Sequence, residues 1–540
     1  MKFLKYIMIA GLLMVGATSC NDWMDILPEN TLPESDVDYT KTSEMYMPVS
    51  GVYAKLRTGG MHWVIWPLTI VRDGDVWSGR VDDQGLLVDF GNLKYDNSFW
   101  GLNEMWNQYY GMIKVANGAL MSLDSYAQYI TNDADMATYR AYCGEVRILR
   151  AYAYYRLTQA FGDVTILRDN NQSDLTRSTK DAVERYMLED LQYAMDNCPK
   201  VRPNEATHYG AATAYTAAAL AAKIRLNRGE WAQAETLTDE IIASNKFQLY
   251  NDFYNLFKIP GKLCNESLLE CQCTDFGQGS GEEVDADQWF VFQGPGNLGG
   301  WNFVGITDNF INWAQARGET IRLETSVLVG GTTTRDGDEI NVMGNVNNTN
   351  TWNGKAYTPT NQLTPGRTKY GSNNNIRILR YADVLLINAE AKVRQGKNGD
   401  QPFNQVRTRA QMPTITNVTV EQILDERRME LVCEWGERYN DLVRTRTLED
   451  RLRFNDQAWT ENPTDILGHS GNKVTQSQKD DDGNPIDDGD IDKYSSPNGG
   501  NFRKEQHYLR PIPQDFLEKI TKDGHPLTKD EINEMQNPGY

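Results

Sequence analysis

The chain has 540 residues, of which 40% are hydrophobic, 10% aromatic and 24% charged, so it can bury a large core and is too apolar to remain disordered. Its 74 acidic residues against 54 basic ones give a formal charge of −20, which repels polyphosphate backbones and excludes nucleic acid as a partner. Length alone admits one large domain, two lobes or three smaller units.

At the N-terminus, Lys2 and Lys5 precede an apolar run over residues 7–15, followed by the small residues Gly16, Ala17, Thr18 and Ser19. This pattern predicts a signal peptide over residues 1–19, because the run is too short to span a bilayer. Cys20 then stands where a bacterial lipoprotein carries its acylated cysteine, although Ala17 occupies a position that is Leu in the strictest form of that pattern. Acyl chains on Cys20 would hold the protein firmly on a membrane. Residues 20–40, polar and Pro-bearing, read as the lipidated linker. Six further cysteines, at 143, 198, 264, 271, 273 and 433, are too scattered for a disulfide framework and are expected to be mostly buried free thiols.

From residue 41 to 258 the pattern is mainly helical. Residues 210–247 read as two helices joined at Gly229, a hairpin of tetratricopeptide type that needs neighbours to cover its apolar face. Further helices are expected at 139–161, 379–396, 401–410 and 421–444, about four hairpins in all. In the last of these, Arg427 with Glu430 and Glu434 with Arg438 stand at helical spacing. Residues 264–377 are rich in Gly, Asn, Thr and Trp, as expected for loops and short strands inserted into a helical scaffold. The expected fold is therefore mainly α, with an N-terminal region 41–263, a loop-rich insertion 264–377 carrying the ligand surface and a C-terminal region 378–540. A second irregular stretch covers 451–503.

Five ordered segments resemble the SusD/RagB outer-membrane lipoproteins of the Bacteroidetes. They are CNDWMD at 20–25, EVRILRAYAYYRLTQAFGDVTIL at 145–167, IRILRYADVLLINAEAKVRQG at 376–396, ILDERRMELVCEWGERYNDLVR at 423–444 and YLRPIPQDFLEKI at 508–520. The resemblance implies an α-helical fold with four tetratricopeptide-like units against an irregular ligand-bearing region. It also implies capture of oligosaccharides or polysaccharides, or in some members peptides, for delivery to a SusC-type TonB-dependent transporter. It implies no catalysis.

The charged residues of these motifs, among them Glu390, Glu426, Arg427, Glu430, Glu434, Arg438 and Asp441, read more simply as ion pairs locking helix packing than as an active site. Phe161-Gly162-Asp163 reads as a helix stop. Ligand contacts are sought where rings fall in irregular, polar surroundings. Three clusters qualify: Trp66, Arg72, Asp75 and Trp77 after His62-Trp63; Trp289 and Trp301 around a flexible Gly-rich loop; and Trp352, Asn353 and Tyr357. Trp106, Trp231, Trp313 and Trp435 are assigned to the core. Flat rings with Asn, Asp and Arg beside them favour sugars over peptides, since a ring face covers a pyranose while polar groups take its hydroxyls. A secreted glycoside hydrolase would need a pair of carboxylates that nothing here singles out; five histidines, with no G-x-S-x-G or H-E-x-x-H, also argue against an enzyme. No cofactor is expected, and the acidic run at 480–490 is read as a solvated loop rather than a calcium site.

Overall fold

The protein is described here from a computed structural model that covers residues 37–78, 81–274, 289–342, 350–363, 372–445, 504–522 and 525–540. In its first half the helices that build the scaffold are α1 (Tyr46–Lys55), α2 (Ile65–Ile70), α3 (Trp100–Ala127), α4 (Asp133–Phe161), α5 (Lys180–Asn197), α6 (Ala214–Asn227) and α7 (Trp231–Ala243), with shorter or kinked helices at Val81–Gly91 and Phe253–Leu256. Polar side chains decide where they start. Asn132 accepts the Asp135 N–H at 2.9 Å to open α4, and Thr213 and Thr216 cap α6 reciprocally. Gly162, at φ 74°, ends α4, and the Asp163 carboxylate then accepts the Lys180 N–H at 2.7 Å, at the start of α5. The Phe161-Gly162-Asp163 stop thus aims one helix and caps the next.

Each of α3 to α7 packs on its predecessor, because each carries one apolar face that only a neighbour can cover. Short strands join distant parts of the chain: β1 (Val76–Ser78), β2 (Ser267–Cys271), β3 (Val304–Ile306), β4 (Val327–Val329), β5 (Thr351–Asn353) and β6 (Ile376–Arg380). β2 and β6 run antiparallel, with Ser267 opposite Arg380 and Cys271 opposite Ile376, so the intervening segment leaves and returns through one ladder. Beyond α8 (Ile321–Ser326), in that segment, the helices are α9 (Tyr381–Arg394), α10 (Asp400–Arg409), α11 (Val420–Leu431) and α12 (Glu437–Arg444). α9 docks on α7, so the helical run continues through space after a long excursion in sequence.

The single helix expected over 421–444 is two. Cys433 at φ 63° and Gly436 at φ 74° break it, and a Cβ on Gly436 would lie 2.6 Å from the Thr69 carbonyl oxygen. Only glycine lets this turn lie against the end of α2. The charge pairs change accordingly. Glu430 takes Arg380 at 3.1 Å, Arg322 at 3.3 Å and Arg409, while Glu434 takes Arg380 at 2.7 Å and Lys355 at 2.8 Å. Arg427 reaches Asp383 at 2.6 Å and Asp441 at 2.8 Å. Arg438 makes no ion pair among the described residues. An i,i+4 pair suits an exposed helix face; a carboxylate taken out of water needs several cations, which come from other elements. Burial pushes the Glu430 carboxyl up, but Arg409, Arg380 and Arg322 outweigh it and hold it at about 2.

Glu145 on α4 shows the opposite case. It is buried, receives the Tyr53 hydroxyl of α1 at 3.0 Å and has no ion pair among the described residues, so burial pushes its carboxyl up to about 8. All six cysteines in the described residues are free thiols, five of them buried. Among the described residues no helix is long and apolar enough to cross a membrane.

Candidate functional site

The three clusters singled out from sequence come together, but through their buried sides. β1 pairs antiparallel with β3, placing Trp77 opposite Gly305, and β4 pairs with β5, placing Leu328 opposite Trp352. The Thr351 hydroxyl links the two ladders by donating to the Ile306 carbonyl at 2.7 Å.

In this layer most of the nominated residues are structural, which corrects the expectation that they face solvent. The buried Trp66 indole donates to the Glu434 carbonyl and stands edge-on to Trp289, 6.4 Å away. Trp289 stacks on Trp435 at 6.0 Å and 4°. Trp77 is buried in β1. Arg72 donates to the His507 carbonyl and lies 4.8 Å from the Tyr439 ring centroid. Asp75 is clasped by Arg428, with Nε at 2.9 Å. The Trp352 indole donates to Asn302 at 2.8 Å; Asn353 donates to Gln293 and to the Cys433 carbonyl, both at 2.9 Å. The buried Tyr357 hydroxyl donates to Asp338. The physical reason is common to all. The rings of the insertion and of residues 64–71 join one continuous core with the helices, and polar atoms inside it must find protein partners once water is excluded.

Trp301 is the exception. It is half-buried and belongs to a ring cluster on the outer side of the same layer. Trp63, also half-buried, is its centre: the Trp100 ring lies 5.9 Å away at 54°, Trp301 6.2 Å away at 86°, and Phe303 and Phe292 pack at 5.6 and 6.2 Å. Trp100 is 43% exposed, an unusual position for so large an apolar ring. The three indoles form a faceted surface drawn from three places in the chain: the turn before α2, the first residue of α3 and the loop before β3.

The loop carrying Trp301 is held closely. The Trp301 N–H donates to the Val291 carbonyl at 2.7 Å, Asn302 to Gly294 at 3.1 Å and Phe303 to Phe292 at 3.0 Å. A Cβ on Gly300 would lie 1.9 Å from the Gly294 oxygen, so the glycines serve close backbone approach, not the flexibility expected of them. A polar chain borders the rings: Lys55 donates to Gln108 at 2.9 Å, Gln108 to Glu104 at 2.6 Å, and His62 stands 3.9 Å from Glu104. Burial pulls the Lys55 ammonium below its ordinary value, against the pull of Glu104. Rings with alternating donors and acceptors can grip a ligand that has apolar faces and hydroxyl edges.

Neither Trp63 nor Trp100 is among the contact residues expected from the sequence. A signal existed. The buried positions Leu102, Met105, Tyr109, Met112 and Ala116 define the apolar stripe of α3, and Trp100 falls off it, on the face shared by Glu104 and Asn107. Of the rings assigned to the core, Trp106 and Trp435 are buried, while Trp231 and Trp313 are half-buried. Cys20 and the acidic run at 480–490 lie outside the described residues. Among the described residues no group of three or more His, Cys, Asp and Glu side chains is placed to hold a metal ion.

Residues 243–540 match the model of the SusD family, and residues 90–226 match one described as starch-binding, associating with outer membrane. A SusD-like protein of Bacteroides ovatus is 24% identical, with 94% of this chain and 95% of that protein covered. Solved structures with a similar fold include a SusD homolog from Bacteroides thetaiotaomicron, at a TM-score of 0.73 and 19% identity over 95% of this chain and 100% of that one. A laminarin-binding SusD-like protein gives 0.71 at 20% identity, covering 92% and 99%. Surface glycan-binding protein A from Bacteroides thetaiotaomicron, in complex with laminarihexaose, gives 0.65 at 19% identity, again covering 92% and 99%.

Proposed function

The chain belongs to the SusD family, and on that premise we propose that it captures oligosaccharides at the cell surface on the Trp63, Trp100 and Trp301 rings and delivers them to a SusC-type TonB-dependent transporter. The observation that carries the reading is the convergence of three indoles, Trp100 exposed and Trp63 and Trp301 half-buried, from distant segments, beside a bordering chain of polar groups. Flat rings of this kind cover pyranose faces, and their cost in conformational entropy is small because the packing beneath already holds them. The laminarin and laminarihexaose named for two structural neighbours make β-glucans the first ligands to try. The anchor on this reading is an acylated Cys20 in the outer membrane, which agrees with the description of the family model that matches residues 90–226.

The proposed role is binding without chemistry. Asp73, which burial and the neighbouring Asp75 charge push up to about 8, is the sort of carboxyl that suggests acid catalysis. It is buried, however, and accepts the N–H groups of Asp75 and Val76 beside the Asp75–Arg428 pair, where no glycosidic bond reaches it.

Calorimetry and affinity electrophoresis against a panel of poly- and oligosaccharides, with a mixed peptide digest alongside, test the proposal. Saturable binding of one glycan, weakened in Trp63→Ala, Trp100→Ala and Trp301→Ala and with no product released, is the expected result. Retention of peptides and of no glycan would replace sugar capture by peptide capture.

A further inference from the structure

About 25 Å along α3 from Trp100, at 1.5 Å per residue, a cavity of about 340 Å³ opens between α3, α4 and α5. Its polar wall is rich in guanidinium groups: Arg147 and Arg150 from α4 and Arg168 from the segment after it. Arg150 and Arg168 lie 5.2 and 5.5 Å from the centroid of the Tyr186 ring.

The groups are not equally engaged. Arg150 spends its donors on Asp190, at 2.8 Å, and on Asn117, at 2.8 Å, so it is part of the frame. Arg147 gives Nη1 to Asp190 at 2.9 Å, but its buried Nε has no hydrogen-bond partner among the described residues. Arg168 is exposed, and its guanidinium enters no ion pair among the described residues. Asp124 also lines the cavity and accepts the Tyr139 hydroxyl at 2.6 Å. Three cations thus meet two carboxylates, those of Asp124 and Asp190. This is a local positive excess on a chain whose net charge is −20. Remote charges act weakly here, since screening removes them beyond about 8 Å at physiological salt. The rest of the wall includes Leu120 and Met121, the latter 50% exposed.

We propose that this cavity binds an oxyanion carried on a sugar ring, either the carboxylate of a uronic acid or a sulfate ester. The Arg168 guanidinium supplies the donors, the Arg147 guanidinium, 4.3 Å from the Tyr193 ring centroid, adds its charge to the wall, and Leu120 and Met121 meet the carbon face. Guanidinium groups suit such oxyanions because their fixed fork matches two oxygens at once. The volume suits a monosaccharide unit. That the oxyanion is sugar-borne rests on the glycan-capture reading; the oxyanion site itself does not.

Titration of the full-length chain with sodium sulfate, glucuronate and glucose, repeated on Arg168→Ala, tests the assignment. Both anions are expected to bind saturably and more weakly as salt is raised. Arg168→Ala, whose melting curve should match the parent because the side chain is exposed, should weaken them about tenfold or more. Glucose should show no response that depends on Arg168. Tighter binding of sulfate would point to sulfate esters, and tighter binding of glucuronate to uronic acids. Saturable binding of neither anion, or equal binding by parent and Arg168→Ala, would overturn the proposal. Laminarin titrated in parallel keeps the two readings apart: Trp100→Ala should affect laminarin and not sulfate, and Arg168→Ala the reverse.

Discussion

Trp63 and Trp66 stand three residues apart yet belong to different worlds. Trp66 lies inside the layer made by the excursion, its indole N–H on the Glu434 carbonyl, with Trp289 beside it. Trp63 lies on the outer side, where Trp100 and Trp301 join it within 6.2 Å. The same ring type, from the same turn, serves stability on one side and a ligand surface on the other. Whether part of its face is left to solvent separates the two roles. A buried indole must give its N–H to a protein acceptor, whereas a half-buried one keeps part of its face for a ligand.

The sharpest way to break this contrast is at the buried ring. Trp66→Ala should cost about 3–5 kcal/mol of folding stability in denaturant titration, as truncations of large buried rings do; a loss of glycan binding at unchanged stability would place Trp66 at the ligand after all. The next effect concerns a buried acid. Because Glu145 is raised to about 8, its contribution is whole below the ordinary carboxylate range and is lost as pH rises through about 8. Melting at pH 6 and pH 9 should therefore differ by an amount on the order of a few kcal/mol, and Glu145→Gln should shrink the difference, leaving the share of Asp73, which is also raised to about 8. A smaller loss, about 1–3 kcal/mol, is expected for Asn353→Ala, which strands the Gln293 and Cys433 carbonyls and two backbone N–H groups in the buried layer. The smallest effect on folding is expected for Trp100→Ala, within about 0.5 kcal/mol, with glycan affinity weakened by up to about tenfold. A large drop in its melting temperature would show that the outer rings are core too, and the contrast would fall.

Most of the helical scaffold was legible in the sequence, because a 3.6-residue apolar stripe needs only a neighbour to cover it and the caps are local. Asn132, Thr213 and Gly162 act within a few residues of themselves, and the six cysteines of the described residues are free thiols. The break at Cys433 and Gly436 was not legible, since the apolar and charged spacing runs through it; it follows from the approach of the Thr69 carbonyl, far away in sequence. The partners of Glu430 and Glu434 likewise come from α8, β6, α10 and Lys355 rather than from the next helical turn. The aromatic site divides along the same line. The sequence alone determined that the excursion would hold many rings and that Trp301 would stand among candidates. Only the tertiary structure decided that Trp66, Trp289 and Trp352 turn inward while Trp63 and Trp100 turn out, because the excursion and the helices share one core and which face of each ring stays wet depends on residues that meet it only after folding.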